Sequence, residues 1–268
     1  PYKNRKDLLE ITMTTRMLLF VWMIGLALTT TSSAQDAKIP VSGPANADLA
    51  PFDDMMLKFI ADNQVPGAAL AVAKDGRVDY ARGFGHADEA RMLGVQPDTR
   101  FRIASISKPI TAAMILPLVE LGLLKLSDNP FEVLKVGIPP VADDRLRKVT
   151  IEQLLHHTAG YDRVKSFDPM FRPIVIAKDQ NAKPPAEPMD IIQYMMKQKL
   201  DFDPGSRYAY SNFGYCILGR VIEKVTGQRY EAAVQKHILD PLPVKNTLLG
   251  KTLTPAKNEV QYFSAKNK

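Results

Sequence analysis

A single cysteine and a single tryptophan stand among 268 residues, with only four histidines. One thiol allows no disulfide within the chain and excludes zinc sites built on several thiolates. Cys216 sits in Tyr-Cys-Ile-Leu-Gly, an apolar run that reads as a small buried hydrophobe rather than an activated thiol. His156 and His157 are adjacent, so they diverge on a helix and lack the i, i+4 spacing of a zinc pair. His86 and His237 read as surface or packing residues. Asp53, Asp54, Asp162 and Asp168 form no pair assignable to one face, which leaves a two-carboxylate glycosidase unsupported. No G-x-S-x-G elbow occurs. Gly250-Lys251-Thr252 is no phosphate loop, because position 245, where a glycine is needed, is lysine. Blocks of like charge are also lacking. The net charge is +6, and it becomes +4 without Lys3, Arg5, Lys6, Asp7, Glu10 and Arg16. Scattered cations do not make a nucleic-acid surface.

What is present is ordinary globular composition, 46% hydrophobic and 24% charged. That excludes disorder, collagen and coiled coil as overall descriptions. Met17 to Leu28 is a short apolar stretch behind Arg16. Ser32-Ser33-Ala34 then places small residues before a cut after Ala34. This is the pattern of a secretory signal peptide, too short for a comfortable span of ~20 residues. The expectation is export to the periplasm or medium, with no stable membrane span after cleavage. Met13 is a natural start for this signal, which makes residues 1–12 an upstream extension. Residues 35–50 read as a flexible leader and 51–268 as one domain.

Ala50 to Asn63 has helical spacing, with Phe52, Met56, Phe59 and Ile60 on one side. Two β-prone runs, Gly67–Ala73 and Arg77–Gly85, flank an Asp75-Gly76 turn and predict a hairpin. Arg102 to Leu124 reads as a turn and an apolar helix, kinked or broken at Pro117. Thr150-Ile-Glu-Gln153 is a capping-box pattern opening a helix through Leu155. Residues 161–188 carry five prolines and read as an irregular cover. Helices are predicted over Pro188–Lys199, Asn212–Val225 with Gly227 as C-cap, and Glu231–Leu239. Beyond that the chain turns polar without a capping element. A lone hairpin is a marginal sheet, and no further strand is evident. The expectation is a chain whose C-terminal strands are missing.

Ser105-Ile-Ser-Lys108 carries the most chemistry. A serine at a helix N-terminus with lysine three residues on puts both side chains on one face, within hydrogen-bond reach. A lysine whose cation is disfavoured by burial can take the serine proton and so activate an otherwise inert hydroxyl. The same tetrapeptide is also compatible with a capping serine and a solvated lysine. In Tyr210-Ser211-Asn212, a tyrosine can relay protons and an asparagine can hydrogen-bond a substrate amide.

Phe101-Arg-Ile-Ala-Ser-Ile-Ser-Lys-Pro-Ile-Thr-Ala112 resembles the nucleophile segment of the serine β-lactamase and penicillin-binding superfamily. The similarity is to the branch of class C β-lactamases, DD-peptidases and β-lactamase-like esterases. Ile151 to Gly160 resembles the family's L-L-x-H-T-S-G segment, with Ala159 in place of serine. Phe202 to Tyr215 resembles F-x-P-G…Y-S-N-x-G-Y, and the resemblance covers roughly 52–250 in family order. It implies an α+β fold, an antiparallel sheet flanked by helices plus a helical subdomain. Ser105 is then the acylated nucleophile, Lys108 its activating partner, Tyr210 the proton relay and Asn212 the group that orients the substrate. His157 matches a structural histidine, and the Ser105 N–H is one oxyanion donor. No metal or organic cofactor is implied, and the partner is a small-molecule or peptide substrate: a β-lactam, a D-amino-acid peptide or amide, or an ester. The third motif, K-T-G or H-x-G, is missing; Lys251-Thr252-Leu253 lacks the glycine. That departure leaves a second reading, a non-catalytic penicillin-recognising or degenerate binding module.

Overall fold

A computed structural model of the chain describes residues 38–262 apart from Glu89, Arg91, Val141 and Pro243. The signal-peptide reading and the cut after Ala34 lie outside the described residues. The chain divides into two compact units, one ending at Pro97 and the other beginning at Asp98.

The first unit is a small antiparallel sheet with one helix. β1 (Val41–Ser42), α1 (Ala50–Asn63), β2 (Gly67–Lys74), β3 (Arg77–Asp88) and β4 (Leu93–Gly94) follow in order. Asp75 and Gly76 both have positive φ, 51° and 75°. That is the geometry a two-residue hairpin turn requires, and glycine reaches it without steric cost. β3 is longer than the pattern predicts because its second half serves other partners. Val41 faces Phe84 across one edge, and His86 faces Gly94 beyond the hairpin. These pairings correct two expectations: residues 35–50 are not all loose leader, and among the described residues the sheet has four strands. Two-residue strands have no periodicity to detect. The backbones approach closely here, since a Cβ on Gly83 would sit 2.2 Å from the Val95 carbonyl oxygen. Met56 and Ile60 of α1 bury with Tyr80 and Phe84 of β3. Phe59, expected on that face, is 49% exposed. Tyr80 donates to Asp53 Oδ1 at 2.6 Å, and Arg82 pairs with the other Asp53 oxygen.

The second unit is helical. A 3₁₀ turn, Ala104–Ile106, leads into α2 (Ser107–Glu120). A kink or break is expected at Pro117, and the helix runs through it unbroken. Pro117 lies in the last turn, so its missing N–H costs one bond and the helix ends three residues later. α3 (Pro130–Leu134) is capped by Asn129, and α4 (Ile151–Leu155) carries the predicted capping box between Thr150 and Gln153. The proline-rich stretch is more ordered than its composition suggests. Pro169 opens a 3₁₀ turn and Pro173 opens α5 (Pro173–Asp179). At a first helical position the N–H has no intrahelical partner and the fixed φ is favourable. Prolines read as breakers are therefore starters.

α6 (Pro188–Met195) stops short of the predicted Lys199, and α7 (Asn212–Thr226) ends on Gly227 at φ 67° as predicted. α8 (Tyr230–Val234) passes into a π turn over Gln235–Leu239. α7 is the hub: it packs against α2, α3, α4, α6 and α8. Its Phe213, Ile217 and Val221 are buried beside Phe131, Leu154 and Ile192. The polar segment after Leu239 also docks. Glu259 forms a parallel bridge with Arg100 and a 2.9 Å hydrogen bond from Arg102 Nε, while Val260 is buried. Cys216 is half-buried against the core, and burial pushes its thiol up to about 11, the inert residue expected.

Candidate active site

Ser105 lies in the 3₁₀ turn just before α2, exposed. The residue before it, Ala104, holds φ at 45°, a left-handed conformation that L side chains rarely adopt. Such strain persists only where surrounding structure enforces it. One turn along, Lys108 Nζ donates to Ser105 Oγ at 3.2 Å. The i, i+3 spacing thus delivers the contact read from the tetrapeptide.

The second pair arrives from far along the chain. Ser211 caps α7 by accepting from the Gly214 N–H at 3.2 Å. That cap puts Tyr210 and Asn212 on either side of the helix start. Tyr210 Oη donates to Ser105 Oγ at 2.6 Å, and Lys108 Nζ donates to Asn212 Oδ1 at 2.7 Å. All four candidate residues therefore meet through hydrogen bonds. Lys108 Nζ also lies 4.7 Å from the Tyr210 ring centroid and 5.6 Å from that of Tyr215.

His157 braces the Tyr210 segment. Its carbonyl accepts from the Ala209 N–H at 2.9 Å and its Nδ1 from the Ser211 N–H at 3.1 Å. Its ring packs against Tyr210 at 4.7 Å and Tyr215 at 5.2 Å. Burial and the nearby Lys108 charge hold the imidazole below its usual pKa, so it works neutral, as an acceptor at Nδ1. Partial burial acts to raise the Tyr210 phenol. Lys108, Ser105 and the Arg163 charge together outweigh it and leave the phenol below the usual value of 10.

Two residues beside this cluster were not assigned from sequence. Arg163 stacks on Tyr210, its Cζ 4.7 Å from the ring centroid. Asp168 accepts from Asn212 Nδ2 at 2.7 Å. Both come from the proline-rich stretch, where no local pattern marks them. A cavity of about 470 Å³ opens beside them, lined in part by Arg163, Phe167, Asp168, Leu200, Asn212 and Phe213. Ser105 does not line it, so the cavity adjoins the cluster on its Asn212 side. Its size suits a small organic group. Lys251-Thr252 lies elsewhere in this unit, where Thr252 Oγ1 accepts from Arg102 Nη1 at 3.0 Å.

Chemically, a hydroxyl oxygen that accepts from both a phenol and an amine is a candidate nucleophile with groups at hand that can move protons. A protein-family model described as Beta-lactamase matches residues 52–266. The chain belongs to the β-lactamase family. Among relatives of this family, Protein flp of Staphylococcus aureus (strain MW2) is 28% identical over 78% of this chain and 40% of its own length. The octameric penicillin-binding protein homologue from Pyrococcus abyssi is 31% identical, with a TM-score of 0.62 over 73% of this chain and 43% of that one. The β-lactamase/D-alanine carboxypeptidase from Yersinia pestis, complexed with citrate, is 26% identical with a TM-score of 0.62. It aligns over 81% of this chain and 60% of that one. The chain thus spans less than half the length of this curated relative, and the mixed α/β architecture is that of β-lactamase and transpeptidase-like folds. It is a member of a family of serine hydrolases.

Proposed function

We propose that this is an exported serine hydrolase working through an acyl-enzyme on Ser105. One observation carries the reading: Tyr210 Oη at 2.6 Å and Lys108 Nζ at 3.2 Å converge on the same Ser105 oxygen. Ser105 Oγ attacks a carbonyl carbon. The 2.6 Å contact reverses when the phenol is ionised, because a phenolate only accepts, and the serine proton then passes to Tyr210. Lys108, which touches Ser105 Oγ and lies over the Tyr210 ring, hands the proton toward the leaving group. Collapse of the tetrahedral intermediate breaks the carbonyl–leaving-group bond, and water repeats the sequence to free Ser105. The Ser105 N–H serves as one oxyanion donor. The substrate is a β-lactam, a D-amino-acid peptide or amide, or an ester; the β-lactam and D-peptide classes agree with the Yersinia pestis relative's description.

Mass spectrometry after incubation with a penicillin and with a p-nitrophenyl ester tests this directly. The expected result is an adduct on the Ser105 peptide that disappears with turnover and is absent from Ser105→Ala. A permanent adduct would support the non-catalytic recognition module, and hydrolysis surviving in Ser105→Ala would refute the assignment. N-terminal sequencing of exported protein tests the cut after Ala34.

A further inference from the structure

Asn212 is held by two partners that demand opposite ends of its amide. Its Oδ1 accepts from Lys108 Nζ and its Nδ2 donates to Asp168 Oδ2, each at 2.7 Å. An amide can turn about its last bond, exchanging oxygen for nitrogen. A carboxylate has no donor to offer, so beside Asp168 only one orientation is satisfied, the one that shows oxygen to Lys108. Asp168 is itself anchored. Its Oδ1 accepts from the Met170 N–H at 3.1 Å, capping the 3₁₀ turn Pro169–Phe171, and its side chain is 10% exposed. Arg163 Nη1 lies 3.9 Å from the same Oδ2. Turn, carboxylate, amide and amine thus form one chain that ends at the Ser105 hydroxyl. Resting on the hydrolase reading above, we propose that Asp168 is a positioning residue that locks the Asn212 amide and thereby places Lys108 against Ser105.

The informative variant is Asp168→Asn. Asparagine is as good an N-cap as aspartate, so the turn survives. Its one amide oxygen can take the position facing Met170 or the one facing Asn212, which two carboxylate oxygens fill in the wild type, and the NH₂ then takes the other. With the cap kept, Asn212 is free to present its NH₂ to Lys108, donor against donor. Losing a charge-assisted hydrogen bond of this kind lowers the rate about 10- to 100-fold.

The measurement is the rate of stoichiometric labelling of Ser105 by a fluorophosphonate, per folded molecule, in the full chain. Asp168→Asn is expected to label about 10- to 100-fold more slowly than wild type, with an unchanged thermal midpoint. In an Asn212→Ala background, Asp168→Asn is expected to add no further loss, because its partner is already gone. Asp168→Ser, which also keeps a capping oxygen, is expected to match Asp168→Asn and covers the case in which the latter folds poorly. Labelling of both variants at the wild-type rate overturns the inference while leaving the hydrolase reading intact. Losses that multiply with Asn212→Ala overturn it equally, since they would show Asp168 acting apart from Asn212. A wild-type chain never labelled at Ser105 removes the hydrolase reading, and this inference with it.

Discussion

The two units bury their apolar residues on different scales. The sheet unit closes on Met56, Ile60, Tyr80 and Phe84, whereas the helical unit surrounds α7 with a cluster running from Met114 to Leu239. The smaller core is supplemented by a polar lock of Tyr80, Arg82 and Asp53. In the larger one, the polar groups at one end of the hub helix gather around the Ser105 hydroxyl instead. The candidate nucleophile and all its partners belong to the unit whose packing can hold them. A strained residue such as Ala104 needs that support.

The sharpest way to separate chemistry from packing is Ser105→Ala, expected to abolish acylation and lower hydrolysis by about 10⁴-fold or more without moving the thermal midpoint. Tyr210→Phe removes the proposed proton relay and is expected to cost about 10²–10⁴-fold in acylation rate, again with the fold intact. Next come the cores. Phe84→Ala and Phe213→Ala each delete a buried ring worth about 3–5 kcal/mol. Hydrogen exchange read unit by unit should show the sheet unit opened outright by the first. The second should weaken the helical unit and slow Ser105 labelling. Equal protection losses in both units would mean that the two cores are not energetically distinct.

Acid should separate the same units, whereas alkali reaches both, because burial also raises the Tyr161 phenol and the Cys216 thiol of the helical unit. Burial and then Asp53 push the Tyr80 phenol from 10 up to about 12. A raised acid favours its neutral form in the fold. This contribution is therefore full below pH 10 and is lost as pH rises toward 12. In the helical unit, hydrogen bonds from Arg145 hold the Asp143 carboxyl well below 3.8 against its burial. That contribution is present above the unfolded value and lost as pH falls below it. His157 adds an acid-side loss beginning below its usual 6.5, because the fold favours the neutral ring. A pH series of unit-resolved exchange on the acid side checks the difference. Loss of protection at the same pH in both units would break it.

The smallest effects are local. Thr150→Ala removes one half of the α4 capping box and is expected to cost about 1 kcal/mol. Gly76→Ala puts a Cβ on a residue at φ 75°, for about 1–2 kcal/mol. Denaturant midpoints of the two variants measure both.

Much of this architecture could be read along the chain. The hairpin turn, the α4 capping box, the end of α7 at Gly227 and the Ser105–Lys108 contact each depend on residues within a few positions of one another. Their geometry follows from backbone periodicity and from which side chains can satisfy a helix end. Tyr210 and Asn212 were reached through motif resemblance, because nothing local ties them to Ser105. Arg163 was not reached at all, and Asp168 only as one of four aspartates that form no pair. The docking of Glu259 on Arg100 and Arg102 was equally hidden, as were the two-residue strands at Val41 and Leu93.

The amino-acid sequence by itself determined where helices start and stop, where the chain turns back, and which serine and lysine share a helical face. Those outcomes are settled by neighbouring residues. Tertiary structure alone decided that a phenol more than a hundred residues away would touch Ser105, and that a carboxylate in a proline-rich stretch would orient the Asn212 amide. Such contacts exist only after α7 is packed. A hydrogen bond between distant segments depends on the positions of both, and those positions are set by the whole buried core between them.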